Sequence, residues 1–215
     1  MQKGARSIGG FVSAIALLMI SPVALAQGLV GLEVHGGASL NTSTKGAFAS
    51  WGNGWTVGGA VSRPLTSSID LLFGLDYSRF PYRGDHLDLA FPAVDGLHWA
   101  TDGQSSTVTA ASVLVLIKSS AFFIHPFLTA GGGVYNLIIG RIGVSTWIGP
   151  TPRNVVQTVY HGSGTSALNG FVEAGCGASV EVRREVSIKL ESRFIQAIDG
   201  KINYVPLFLT VRADL

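Results

Sequence analysis

The 215-residue sequence predicts an all-β fold: an eight-stranded antiparallel up-and-down transmembrane β-barrel after a cleaved signal peptide. Three observations carry that expectation: an N-terminal export signal, apolar residues at every second position through most of the remaining chain, and connections that alternate between short and long.

The export signal begins with Lys3 and Arg6, which precede an apolar run from Phe11 to Leu25 ending in the small-residue triplet Ala24-Leu25-Ala26. Residues 1–26 therefore read as a secretory signal peptide cut before Gln27, and residues 27–215 as the barrel. The apolar run is shorter than the roughly 20 residues of a spanning helix, and no basic stop-transfer cluster follows. There is no Cys at the cleavage point, so a lipid anchor is not indicated. Loss of Lys3 and Arg6 from fifteen basic residues leaves thirteen, against thirteen acidic ones. A neutral chain offers no electrostatic footprint for nucleic acid. The lone Cys176 cannot make an intramolecular disulfide, and no later apolar run is long enough to cross a bilayer as a helix.

The alternation is clearest toward the C-terminus. From Leu168 to Val182 the even positions are apolar or small, while Asn169, Phe171, Glu173 and Glu181 fall on the other face. Val186, Ile188, Leu190 and Phe194 then stand opposite Ser187, Lys189, Glu191 and Arg193, with Arg183-Arg184 marking a tight hairpin between the two segments. The last segment places Val205, Leu207, Leu209, Val211, Ala213 and Leu215 opposite Thr210, Arg212 and Asp214. The same template gives strands near 29–40, 54–63, 69–80, 107–117, 122–138, 166–182, 185–196 and 203–215. The segment at 107–117 is apolar on both faces near its end.

Short links follow the even strands (64–68, 118–121, 183–184), and long polar stretches follow odd ones (41–53, 81–106, 139–165). Short turns belong to the periplasmic side and long loops to the outside. Within the third outer loop, Val144–Ile148 and Val155–Tyr160 flank the breaker Gly149-Pro150-Thr151-Pro152, so a hairpin prolonging strands five and six is expected there. Trp55, Tyr77, Phe80, Phe122, Tyr135, Phe194 and Tyr204 are placed for interfacial girdles. A soluble lipocalin-like binding barrel shares the period with its faces exchanged, but would normally add a helix and spread its charges outward.

Several stretches carry a family resemblance: Pro126-Phe127-Leu128-Thr129-Ala130-Gly131-Gly132-Gly133-Val134-Tyr135, the segment Gly175 to Arg183, Glu191-Ser192-Arg193-Phe194, and Tyr204 to Arg212. The chain resembles the small outer-membrane β-barrel superfamily that includes outer membrane proteins A, W and X. That resemblance implies residence in the bacterial outer membrane after passage through the periplasm, with lipid and the barrel-assembly machinery as partners. It also implies an assembly signal formed by Tyr204, Leu207, Leu209, Val211 and Leu215, where Leu215 departs from the family's usual terminal Phe.

Eight strands enclose a lumen that side chains can fill. The inward phase holds Glu33, His35, Asp70, Asp76, Glu173, Glu181 and Glu191 with Lys189, Arg193 and Arg212, a set expected to form a polar network closing the lumen. Its excess carboxylates would need Thr107, Thr109, Tyr135 or trapped water as partners. A narrow cation path is the alternative. His161-Gly162-Ser163 with Glu173 is similar to the His, Ser and Glu set of outer-membrane lipid A deacylases, but here Gly164-Thr165 follows where the family has Asn-Ala. No metal-ligand spacing, catalytic motif or cofactor loop is otherwise present, so no cofactor is expected. The reading is a monomeric structural or surface-interaction barrel whose outer loops meet a ligand, with Trp51, Phe91, Trp99, Trp147 and Tyr160 as candidate contacts.

Overall fold

The computed structural model describes residues 30–44, 47–83, 97–119, 123–149, 155–160 and 168–215. The expected signal peptide, Phe122 and the His161-Gly162-Ser163 motif lie outside the described residues.

Eight strands close into one antiparallel barrel: β1 (Gly31–Asn41), β2 (Gly54–Pro64), β3 (Ile69–Phe80), β5 (Ser106–Lys118), β6 (Ile124–Ile138), β9 (Leu168–Arg183), β10 (Val186–Ala197) and β11 (Asn203–Asp214). Neighbours in sequence are neighbours in the ring, and β1 meets β11 to complete it. Closure satisfies every strand's backbone groups from both sides, which lipid demands because it offers no hydrogen bonds of its own. The doubly apolar segment at 107–117 is the central part of β5, where Thr109, Val113, Val115 and Ile117 face out and Val108, Leu114 and Leu116 face in.

Period two decides which way each residue points, and a one-residue slip would turn the whole strand inside out. Leu32, Val34, Leu128, Leu190 and Leu209 are all exposed on the outer surface, whereas Glu33, His35, Thr129, Glu191 and Thr210 beside them in sequence are buried in the lumen. Thr107 and Thr109 belong to the outward phase, so neither can serve a lumen carboxylate as expected.

Three further strands lie beyond the outer rim: β4 (Leu97–Gly103), β7 (Ile142–Ile148) and β8 (Val156–Tyr160) form a separate sheet in the order β4-β7-β8. The expected hairpin in the third loop is present as β7 and β8, but it does not prolong barrel strands five and six. Gly140 and Arg141 interrupt the ladder after Ile138, and β7 takes β4 of the preceding loop as its second partner. His98 on β4 stacks on Trp147 of β7 at 5.8 Å, fastening the two loops together.

Candidate functional site

The lumen is built in layers. At its outer end, inward residues from six strands and the first loop form an apolar lid. Phe48, from a 3-10 turn (Ala47–Ser50), meets Phe80 edge-on at 5.0 Å, and Phe80 meets Tyr204 in the same way at 5.3 Å. Trp51 stacks beside Phe48, and Tyr135, Phe171, Ile195 and Ile202 complete the layer. Asn41 holds the turn in place by donating from Nδ2 to the carbonyls of Phe48 (3.0 Å) and Trp51 (2.6 Å). The Trp51 indole donates to the Gln104 carbonyl at 3.1 Å, so the second loop is pinned to the same lid.

This layer corrects three aromatic assignments. Phe80, Tyr135 and Tyr204 do not belong to an interfacial girdle: each is at most 3% exposed and points inward. Trp51 is likewise buried and is no loop contact residue. The even phase of β11 also separates Tyr204 from Leu207, Leu209 and Val211, which face out in the odd phase. Leu215 lies just past the strand, exposed, with its N–H donating to the Val30 carbonyl at 3.0 Å. The five assembly-signal residues thus do not share one face.

Below the lid the lumen is polar. Ser39, Thr56 and Ser78 form a buried hydroxyl row across β1, β2 and β3, with oxygen separations of 2.5 and 2.7 Å. In the next row His35 Nε2 meets Asp76 Oδ1 at 2.5 Å across β2. Both register with Gly58, where a Cβ would stand 2.0 Å from Asp76 Oδ1 and 2.6 Å from His35 Nε2. Only glycine leaves room for that pair.

On the opposite wall Arg193 holds Glu191 through two parallel bonds, Nε to Oε1 at 2.8 Å and Nη2 to Oε2 at 2.9 Å. Such two-point pairing satisfies both charges in one plane. Thr129 donates to the same Glu191 Oε1 at 3.0 Å, and Glu173 faces Arg193 at 3.8 Å. The guanidinium also lies over the Phe208 ring, 5.1 Å from its centroid, while His35 covers that ring at 4.6 Å. Nearer the periplasm Lys189 bonds Glu33, and Arg212 reaches Asp70 at 2.8 Å, Asp214 at 2.7 Å and Glu33 at 3.6 Å. Lys118, at the end of β5, adds a second cation to Asp70 at 3.1 Å.

Nine of the ten expected lumen residues are therefore buried in the barrel, each at most 8% exposed. Glu181 is the exception. It keeps the inward phase of β9 but stands beyond the closed part of the lumen, with its side chain 70% exposed and His125 Nε2 3.9 Å away. Five buried carboxylates remain: Glu33, Asp70 and Glu191 are paired with Lys189, with Arg212 and Lys118, and with Arg193, Asp76 meets the His35 ring, and Glu173 shares Arg193 at 3.8 Å. Lys118 and Gly58 went unrecognised in the sequence. The phase of Lys118 beside Asp70 was available as a signal, while the role of Gly58 emerges only once β1, β2 and β3 are in register.

Glu173 lies in the lumen with its side chain 1% exposed, away from any lipid-facing surface on which a deacylase would act. No cluster of three metal-ligating side chains occurs among the described residues.

The outer surface decides where the protein resides. Along the eight barrel strands the outward positions carry only two charges, Arg63 at the periplasmic end of β2 and Arg79 at the outer end of β3. Arg63 pairs with Leu71, eight residues before Arg79, so the uncharged band spans about 26 Å of strand at 3.3 Å per residue, or about 20 Å of depth at a 40° tilt. Trp55 and Tyr77 flank the Arg79 level with rings 5.7 Å apart, the aromatic and cationic composition of a bilayer interface. A soluble ligand-binding barrel would place this apolar set inside. The chain is a transmembrane β-barrel of the outer-membrane type.

No family profile and no curated protein matches the chain. Among solved structures it is similar to Neisserial surface protein A (13% identity, TM-score 0.48, covering 87% of this chain and 96% of that one). It is also similar to Ail, the attachment invasion locus protein of Yersinia pestis (8%, TM-score 0.43, covering 87% and 97%). The N-terminal β-barrel domain of Pseudomonas aeruginosa OprF gives 11% and a TM-score of 0.43, covering 87% and 98%. At such values the similarities carry no functional information, and the membrane assignment stands on the surface chemistry above.

Proposed function

We propose that this barrel is a non-conducting outer-membrane scaffold that presents its outer loops to a surface ligand and acts without catalysis. The observation that supports it is double closure of the lumen, by the aromatic lid outside and by the ion-paired layers below. A wall filled in this way makes a stiff base rather than a path for ions.

On that base stands the β4-β7-β8 sheet, held to the barrel through the Trp51-to-Gln104 bond and the Gly140 N–H to Ser106 Oγ bond of 2.9 Å. Loops fixed by a rigid scaffold are the usual carriers of recognition. Outer-membrane lipid and the barrel-assembly machinery are the partners this reading requires, and it takes the barrel as a monomer. Two measurements test it. Planar bilayers containing the purified barrel should show no discrete channel openings; regular openings would overturn the closed lumen. Replacing residues 142–160 with a short Gly-Ser link should abolish attachment of expressing cells to host cells or extracellular matrix while leaving the boiling-dependent gel shift intact. Unchanged attachment would overturn the surface role.

A further inference from the structure

The layer of the lumen nearest the periplasm is balanced in charge: Glu33, Asp70 and Asp214 stand against Lys189, Arg212 and Lys118. The middle layer is not. It holds three carboxylates, Asp76, Glu173 and Glu191, against one guanidinium, Arg193, and one imidazole, His35. All five side chains belong to residues at most 6% exposed, so bulk water and salt do not make up the difference. Even with His35 protonated, one negative charge is left over, and a buried charge without a partner is neutralised rather than kept. Hydrogen bonding singles out which carboxylate that is. Glu191 has the two-point grip of Arg193 and the Thr129 hydroxyl, and Asp76 meets His35 Nε2 at 2.5 Å. Glu173 has neither: Arg193 Nη1 is 3.8 Å away on a guanidinium already committed to Glu191, and both carboxyl oxygens are buried without a hydrogen bond. The groups that face it are Arg193 and Glu191 from β10, Asp76 from β3 with His35 of β1 behind it, Ser112 from β5 and Tyr204 from β11, while its register partner on β6 is Gly131. Ser112 Oγ is equally buried and equally without a hydrogen bond.

We propose that the middle layer is a proton-binding site, with the proton held on Glu173 against Ser112 in the folded barrel at neutral pH, and that it makes the stability of the barrel respond to pH. A carboxylic acid donates as well as accepts, and so does a hydroxyl, so one proton gives both orphaned groups a partner and removes the surplus charge. The ligand is a proton rather than a metal ion, because no three metal-ligating side chains converge among the described residues and the inner wall is crowded. A Cβ at Gly175 would stand 2.7 Å from Thr129 Oγ1 and 2.9 Å from Arg193 Cγ, and one at Gly74 would stand 2.9 Å from Ser112 Oγ. The proton comes from water as the strands pair and returns to it on unfolding, since an unfolded Glu ionises above the ordinary range of about 4. Folding therefore takes up a proton. Its contribution to stability is complete below that range and is lost as the pH rises toward the point where folded Glu173 ionises. The site is independent of what the outer loops bind.

The test is infrared spectroscopy of the full barrel in maltoside micelles, a detergent without a carbonyl group of its own. The carbonyl-stretch band of a protonated carboxylic acid should be present at neutral pH, titrate away at alkaline pH, and be missing from Glu173→Gln. Glu181→Gln, on the same strand and in the same phase but exposed, should leave the band unchanged. Ser112→Ala should keep the band and move it to the higher frequency of an acid without a hydrogen bond, which tests the site even if the glutamine variant does not fold. Urea unfolding supplies a second reading. Glutamine copies the uncharged acid, so the folding equilibrium constant of Glu173→Gln relative to the wild type should rise about tenfold per pH unit above the ordinary carboxyl range. A boiling-dependent gel shift identifies the variants that are folded. No acid band in the wild type, a band that survives Glu173→Gln, or a stability ratio that does not move with pH overturns the site, and a band unmoved by Ser112→Ala overturns the pairing.

Discussion

The two ends of one lumen solve the same packing problem with opposite chemistry. The outer end is filled by Phe48, Phe80, Tyr204 and their neighbours, which need no charge partners and exclude water by shape. The periplasmic half is filled by Lys189, Arg193, Arg212 and their carboxylates, which need each other. Apolar packing degrades gradually when one piece is lost, because each contact is small. Buried ion pairs do not: removing one partner strands the other without water. The lid should therefore tolerate change better than the layers beneath it.

Arg193→Met breaks this comparison most forcefully. It leaves Glu191 and Glu173 buried without their cation and should cost about 3–5 kcal/mol, read as a fall in the urea midpoint of barrels refolded into vesicles. Adding Glu191→Leu should restore part of the loss, since an apolar pair can replace a buried ionic one, while Glu173 stays buried without its cation. If the single variant proves neutral, the ionic layer holds nothing together.

Phe80→Ala tests the lid. It should cost about 3 kcal/mol through the space left behind, and bilayer recordings should stay silent because the His35 and Arg193 rows still close the path below. Steady conductance in this variant would place the only barrier in the lid. Gly58→Ala sharpens the point about room: its methyl would collide with Asp76 Oδ1 and the Leu75 carbonyl, at 2.0 and 2.5 Å, and should cost about 1–3 kcal/mol. An unchanged urea midpoint would show that the His35–Asp76 row can shift aside.

The smallest effect belongs to the β10–β11 turn outside the membrane. Burial pushes the Asp199 carboxyl up, but the Lys201 backbone N–H, the Lys201 ammonium and the Tyr135 hydroxyl outweigh it and hold it below its ordinary value of 3.8. A lowered folded value means the stabilisation is complete above the ordinary range and fades as pH falls from about 4 through the folded value. Asp199→Asn should cost under about 1 kcal/mol and remove that acid response, measured as amide exchange of residues 198–202 across the acid range. An acid response that survives the substitution would assign it to another group.

The barrel strands were legible because lipid outside and charge inside write opposite residue types at alternate positions, as in Leu190 beside Glu191 and Leu209 beside Thr210. Aromatic residues break that code. Tyr204 and Tyr77 both sit near strand ends and suit either a bilayer interface or a lumen lid by type, and it is phase that separates them: Tyr77 alternates with Leu71 and Leu75 outside, Tyr204 with Thr210 and Arg212 within. Strand β4 was invisible for another reason: its partner β7 lies beyond two further strands, and Leu97–Gly103 has no period of its own to announce the pairing. Glu181 shows the limit of phase alone, since the correct face gives no depth.

The ring closes where β1 meets β11, with Gly31 opposite Asp214 and Asn41 opposite Tyr204. The strand that comes first in the barrel therefore waits for the one that comes last. Until they join, both present open backbone edges that would recruit any passing strand, and closing so long a loop is entropically costly. Closure is consequently one long-range step that neither edge completes alone, and the order of the strands along the chain makes the first partner the last to be satisfied.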